Sequence, residues 1–274
     1  MYCSQKEGFR LSSLQEPGVI VRTRSHVLPT TYINRGSYSG DSYTSSQEET
    51  SSDSEEFEVE EDLPSLWPEH LISRLGDPCP VIHNFAFRGA TVADDLSTQL
   101  LQYFQLVPPE GKGSSKSISL DISETLFVFY IGINDCGCNT SDELEPIVEA
   151  LFDAVHTLYV KSSARQFLFI DVPPIGRSPG ALEIESSEMM KDRVDTWNEL
   201  LDTAVHEFAA STTATIMLFS SHEVISAILD EPEQHGFAQG DAKEIGTIWE
   251  DELHLTSAVH DILAERLVTK LLSE

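Results

Sequence analysis

The sequence predicts an α/β protein in which a parallel sheet is covered by helices on both faces. Three observations carry that expectation. Four runs of strand length are continuously apolar, segments of helical period lie between them, and 274 residues suit one such unit with a sizeable core. Alternating rather than continuous apolarity would have marked strands with one wet face.

Residues 1–36 are poorly patterned and slightly basic, with Lys6, Arg10, Arg22, Arg24 and Arg35 against Glu7 and Glu16. The expected folded domain is 37–274. Within it, residues 47–62 (QEETSSDSEEFEVEED) hold nine acidic residues in sixteen, too little apolar surface to offset ordering entropy, so a mobile acidic loop is expected there. From residue 63 the pattern becomes regular. The strand runs are Val81 to Phe87, Thr125 to Ile131, Gln166 to Val172 and Ala214 to Phe219. Between them Leu144, Ile147, Val148, Leu151, Val155 and Leu158 recur at helical spacing, with Pro146 tolerated in the first turn. Val194, Trp197, Leu201, Val205 and Phe208 do the same, and Val259, Ile262, Leu263 and Leu267 mark a final helix. In a doubly wound sheet ligands bind outside the carboxyl ends of the strands, so functional groups are sought just after each one.

Charge and composition exclude several classes. With 46 acidic and 17 basic residues the formal charge is −29, a field that repels nucleic-acid backbones and anionic membrane surfaces. A composition of 40% hydrophobic and 23% charged residues is that of a globular chain. No stretch approaches the roughly 20 apolar residues that span a bilayer, and the first residues lack the apolar run of a signal peptide. As written, the chain is expected to stay inside the cell. Four cysteines do not make a disulfide-dense scaffold. Cys79, Cys136 and Cys138 lack the second spaced pair of a zinc site, so a metal held by them is not expected.

Four polar groupings fall where function is sought. Gly40-Asp41-Ser42 could present the serine hydroxyl as a nucleophile, with the serine N–H facing a developing oxyanion, although these are also favoured turn residues. Asn84 to Thr91 contains Gly89, which permits close backbone approach and offers a second N–H donor, or is simply a strand-to-helix turn. Gly132-Ile133-Asn134-Asp135 follows the most apolar strand; the Asn134 amide could supply a third donor and Asp135 could cap the following turn. In Asp251-Glu252-Leu253-His254 a three-residue spacing lets the carboxylate reach the imidazole, fix its tautomer and stabilise its cation. His260, inside the final helix, reads as structural.

Taken in order, these groupings resemble the SGNH, or GDSL, hydrolase family, and within it the fungal acetylesterases of carbohydrate esterase family 16 and related GDSL lipases. NFAFRGATV, FVFYIGINDCG, FLFIDVPPIGRSP and DELHLTSAVHD carry the likeness from about residue 37 to the carboxyl end. The resemblance implies a flavodoxin-like three-layer α/β/α sandwich. It implies Ser42 as nucleophile, His254 as general base and acid, Asp251 as its orienting partner, and an oxyanion hole from the N–H groups of Ser42 and Gly89 with the Asn134 amide. It also implies hydrolysis of a small acyl ester, acetyl esters of carbohydrates first and lipids or lysophospholipids as alternatives, without metal or organic cofactor. Relatives are commonly secreted, against the reading of the amino terminus. The remaining alternative is a catalytically silent binding protein.

The sequence departs from the family at the first strand. The residues before Gly40 are polar (TTYINRGSYS), so that strand is either Thr31 to Ser37 or a displaced one around Val19 to Val21. Arg88 replaces a common glycine and is expected to face solvent and satisfy Asp94 or Asp95; Leu255 replaces a common proline.

Overall fold

The computed structural model describes residues 65–76, 80–108, 118 and 120–273, and the backbone of 19–23. Continuous apolarity becomes a five-stranded sheet: β1 (Val19–Thr23), β2 (Val81–Asn84), β3 (Thr125–Tyr130), β4 (Gln166–Ile170) and β5 (Thr215–Phe219), in the order β2-β1-β3-β4-β5. β3 is buried along its whole length, as expected of a strand covered on both faces. β3 pairs parallel with β4 and β4 with β5, in a register that sets Phe129 opposite Phe169. Those two rings stack with centroids 5.2 Å apart, a cross-strand pair worth about 1 kcal/mol beyond the area it buries.

The alternation of side chains along the strands sorts the helices into two layers. Phe127, Phe129, Phe167 and Phe169 point to one face. There Phe127 meets Tyr103 of α2 (Leu96–Leu106), Phe169 stacks on Phe152 of α4 (Glu145–Lys161), and Phe167 meets Phe208 of α6 (Ser187–Ser211). Tyr130, one residue out of phase, points to the other face and meets Trp67 of α1 (Trp67–Leu75) edge-on. On that side α1 packs along α8 (Ser257–Ser273), and α7 (Ser221–Asp230) packs on α8. The result is the expected α/β/α sandwich. Most of the predicted helical positions are buried, Val148, Leu151, Val155 and Leu158 in α4 and Val194, Trp197, Leu201, Val205 and Phe208 in α6, while Ile147 is only partly buried and Met190 joins the α6 stripe unpredicted.

The first strand departs from expectation in direction. Val19–Thr23 pairs antiparallel with both neighbours, Val19 opposite Phe129 and Thr23 opposite Thr125 and Val81. β2 therefore runs with β3, β4 and β5, and β1 alone runs against them. An apolar pattern reports which faces of a strand are covered and not which way the chain runs, so this feature is invisible to periodicity. The other candidate, Thr31 to Ser37, lies outside the described residues, as does the acidic stretch 47–62.

Predicted strand ends are trimmed. β2 stops at Asn84 because the Asn84 side chain turns back to accept the Ala86 N–H at 2.9 Å, ending the ladder before Phe85. Beyond β4, Asp171 and Val172 leave the sheet. The Asp171 carboxylate accepts the Ser220 hydroxyl and, at 2.8 Å, the His222 N–H, while Val172 and the Asn198 amide exchange two bonds of 2.9 Å. Side chains of α6 and the start of α7 thus hold the exit of β4 in place.

Candidate active site

The carboxyl ends of β2 and β3 carry a polar ledge. β3 leads through Ile131 into Gly132, whose φ of 129° favours glycine and whose Cβ, if present, would lie 2.2 Å from the ring of buried Trp197. The short helix α3 (Ile133–Cys138) begins there, and its first turn reaches back to the turn after β2. Asn134, 3% exposed, donates through Nδ2 to the Ala90 carbonyl at 3.1 Å; Asp135 accepts the Val92 N–H at 3.1 and 3.2 Å. Gly89 is exposed at the rim with φ of 74°, a left-handed turn that suits glycine. The structure therefore brings Gly89 and Asn134 together, with Asn134 bonded to the residue that follows Gly89.

Asp135 spends its carboxyl on this staple rather than on a cap of the following turn. Burial pushes the group up to about 7, against the opposing Val92 hydrogen bond and with the help of the Asp95 charge. One oxygen of Asp95 accepts the Thr91 N–H at 2.9 Å and the Thr91 hydroxyl at 3.3 Å, and Arg88, expected to face solvent, is half buried.

The second part of the site is the loop before α8. Trp249, 1% exposed, anchors it by donating to the Ala242 carbonyl at 3.1 Å, and isolated bridges join Trp249 to Ile245 and to Leu255. Glu250 N–H reaches the His254 carbonyl at 2.7 Å, and Glu252 accepts the Gly180 N–H of α5 (Pro179–Glu183) at 2.9 Å. That last bond ties the loop to the segment leaving β4, at the same edge of the sheet as the ledge. Leu255, where relatives commonly have proline, is buried, and α8 still starts two residues on.

Within the loop, one Asp251 oxygen accepts the N–H groups of Leu253 at 2.8 Å and His254 at 2.7 Å, while the other pairs with His254 Nδ1. Partial burial works against the Asp251 charge, but these bonds, the His254 side chain first among them, outweigh it and hold the carboxyl at about 2. With Nδ1–H donated to Asp251, Nε2 becomes the proton-accepting nitrogen of the ring. Asp251 and His254 are thus brought together as the spacing predicts. His260, six residues on, is 1% exposed, and burial pushes it down to about 3, helped by His70 and His254, which fits a core histidine of α8.

Ser42, with Gly40 and Asp41, lies outside the described residues. Sequence reasoning missed Trp197, which dictates glycine at 132, and the Asp171 and Asn198 contacts that fix the exit of β4. The aspartate directly after an apolar strand was a readable signal; Asn198 and Trp197 were not, because their partners lie 26 or more residues away. As for a metal, Cys138 is disulfide-bonded, Cys136 is buried with its sulfur 3.7 Å from the Arg193 carbonyl, and no group of three metal-ligating side chains forms among the described residues.

A profile described as GDSL-like lipase/acylhydrolase matches residues 39–267. The chain belongs to that GDSL family. One GDSL relative is an acetylesterase from Thermothelomyces thermophilus, 27% identical in an alignment of 186 positions that covers 62% of this chain. The chain spans 61% of that relative's length. Among solved structures, a carbohydrate acetylesterase from Sinorhizobium meliloti aligns over 78% of this chain and 91% of its own, at 16% identity and a TM-score of 0.48. An aryl esterase from M. smegmatis aligns over 76% and 84%, at 16% identity and a TM-score of 0.46. Among the described residues no helix is long and apolar enough to cross a membrane.

Proposed function

We propose that this GDSL protein is a serine carboxylic-ester hydrolase acting on small acyl esters, acetyl esters of carbohydrates in particular, through an acyl-enzyme. The observation that carries the reading is the Asp251–His254 pair, which fixes the imidazole in the tautomer a general base needs. In the first step the Ser42 hydroxyl attacks the ester carbonyl while His254 Nε2 takes its proton. His254 then protonates the departing alcohol, and water attacks the acyl-serine by the reverse route. The tetrahedral oxyanion is received by the N–H groups of Ser42 and Gly89 and by Asn134. An amide NH₂ has two hydrogens, and one of them goes to Ala90, which orients the other.

The acetyl preference is supported by the acetylesterase relative, and a net charge of −29 disfavours anionic esters. The test is hydrolysis of 4-nitrophenyl acetate and butyrate by the purified chain beside Ser42→Ala, followed by a panel of acetylated sugars. Turnover that survives Ser42→Ala unchanged, or a folded protein with no turnover, rejects the proposal. A second reading, a catalytically silent binding protein, draws on the direction of β1. That strand ends at Thr23 beside Thr125, at the start of β3 and so at the end of the sheet away from Gly132 and Asn134.

A further inference from the structure

A second serine stands in a catalytic order at the start of α8. Ser257 opens α8, and its hydroxyl lies 2.9 Å from Nε2 of His70, which comes from α1, 187 residues earlier. The opposite ring nitrogen, His70 Nδ1, lies 3.3 Å from Asp261 Oδ1, one turn along α8 from Ser257. Arg74 in turn grips both oxygens of Asp261, at 2.8 and 2.6 Å, and fixes the carboxylate. A tether between two helices needs only one polar contact. Here a hydroxyl, Nε2, Nδ1 and a carboxylate follow one another in the sequence that lets a histidine take a serine proton.

The setting fits an acyl acceptor in two further respects. The Val259 and His260 N–H groups bond to the Thr256 carbonyl at 3.0 and 3.1 Å, which leaves the first-turn N–H groups of Ser257 and Ala258, at the positive end of α8, to face a carbonyl oxygen brought to the Ser257 hydroxyl. The group is also reachable: Ser257 is half buried, and the His70 and Asp261 side chains are 22% and 40% exposed.

We propose that Ser257, His70 and Asp261 form a second acyl-accepting centre, distinct from Ser42 and His254, that takes small uncharged esters. In the step envisaged, Ser257 Oγ bonds to the acyl carbon and its proton passes to His70 Nε2. The carbon–oxygen bond of the ester breaks, the alcohol leaves with that proton, and water later releases the acid with the serine regenerated. Anionic esters are disfavoured by the carboxylates of Asp261 and of Glu265, which lies beside Arg74. The centre does not depend on the role assigned to Ser42.

The probe is diisopropyl fluorophosphate, which forms an Oγ–P bond with expulsion of fluoride, read by intact mass and peptide mapping on the full chain. Wild type, Ser42→Ala, and Ser42→Ala combined with His70→Gln or with Ser257→Ala are compared, with circular dichroism as the fold control. The expected result is one phosphoryl group per Ser42→Ala molecule, mapped to Ser257 and absent after Ser257→Ala. His70→Gln should slow labelling about 100-fold, the scale of a lost general base. Folded Ser42→Ala protein that takes no label at Ser257 overturns the proposal, and so does labelling at an unchanged rate in His70→Gln. Label on Ser42 alone in wild type supports the proposed function and rejects the second centre; label on Ser257 alone does the reverse.

Discussion

Asp135→Asn should abolish a large part of the pH dependence of stability between about pH 4 and about pH 8. Burial raises this carboxyl to about 7 from an ordinary value of 3.8. A group whose folded value is raised holds its proton in the native state after the unfolded chain has released it, so stability falls as pH rises through that interval. At about 1.4 kcal/mol per unit, the complete penalty is about 4 kcal/mol, of which about 2 to 3 kcal/mol develops between about pH 5 and about pH 8. Asparagine keeps a side-chain oxygen for the Val92 N–H and has no charge to bury. Urea unfolding of both proteins at the two pH values gives the difference directly. Other titrating groups cancel in the comparison, because the variants share them. If Asp135→Asn loses stability in parallel with wild type from about pH 5 to about pH 8, Asp135 is not the buried acid described here.

Three further outcomes follow from the site. Asn134→Ala should lower kcat for 4-nitrophenyl acetate by about 100-fold or more while thermal unfolding still shows a folded protein; near-normal turnover would remove Asn134 from the oxyanion role. Asp251→Asn should lower kcat on the order of 10⁴-fold. Because the Asp251 carboxyl is held at about 2, its contribution to stability is present above about pH 4 and is lost as pH falls through about 2. With the side chain 51% exposed, that contribution is about 1 kcal/mol after solvent screening, and acid unfolding of the variant should lack it. Gly132→Ala should cost about 3 kcal/mol or more, or prevent folding, because strain at a φ of 129° adds to a collision with the Trp197 ring; a melting temperature equal to wild type would refute the contact.

The parts legible in the sequence were those fixed by local chemistry. Runs such as TLFVFY were read as doubly covered strands because no polar face interrupts them, and the buried stripes of α4 and α6 fell mostly on the predicted residues. Asp251 and His254 could be paired because three residues of one loop bring them into contact without help from the fold. Distance in sequence set the limit. The Ala90 carbonyl that holds Asn134 lies 44 residues away, and the histidine that meets Ser257 lies 187 residues away; no spacing rule connects either pair. Asp135 reads as a polar residue near a turn, and only packing shows that its carboxyl is sealed. The direction of β1 is a matter of connection and not of pattern. Where Ser42 stands relative to His254 lies outside the described residues, so the nucleophile remains a reading of the sequence and of the family.

The reversal of β1 also decides where attachments to this enzyme belong. Because Val19 lies opposite Phe129, at the end of β3 that leads into Gly132 and Asn134, the polypeptide enters β1 at the rim that carries the candidate site. A linker joined directly to Val19 would emerge at the rim that carries Asn134 and the end of β3. The other terminus points away, since α8 starts immediately after the His254 loop and its 17 residues carry the chain about 25 Å from it. Immobilisation through the carboxyl end would leave that rim clear, whereas attachment directly ahead of Val19 would crowd it.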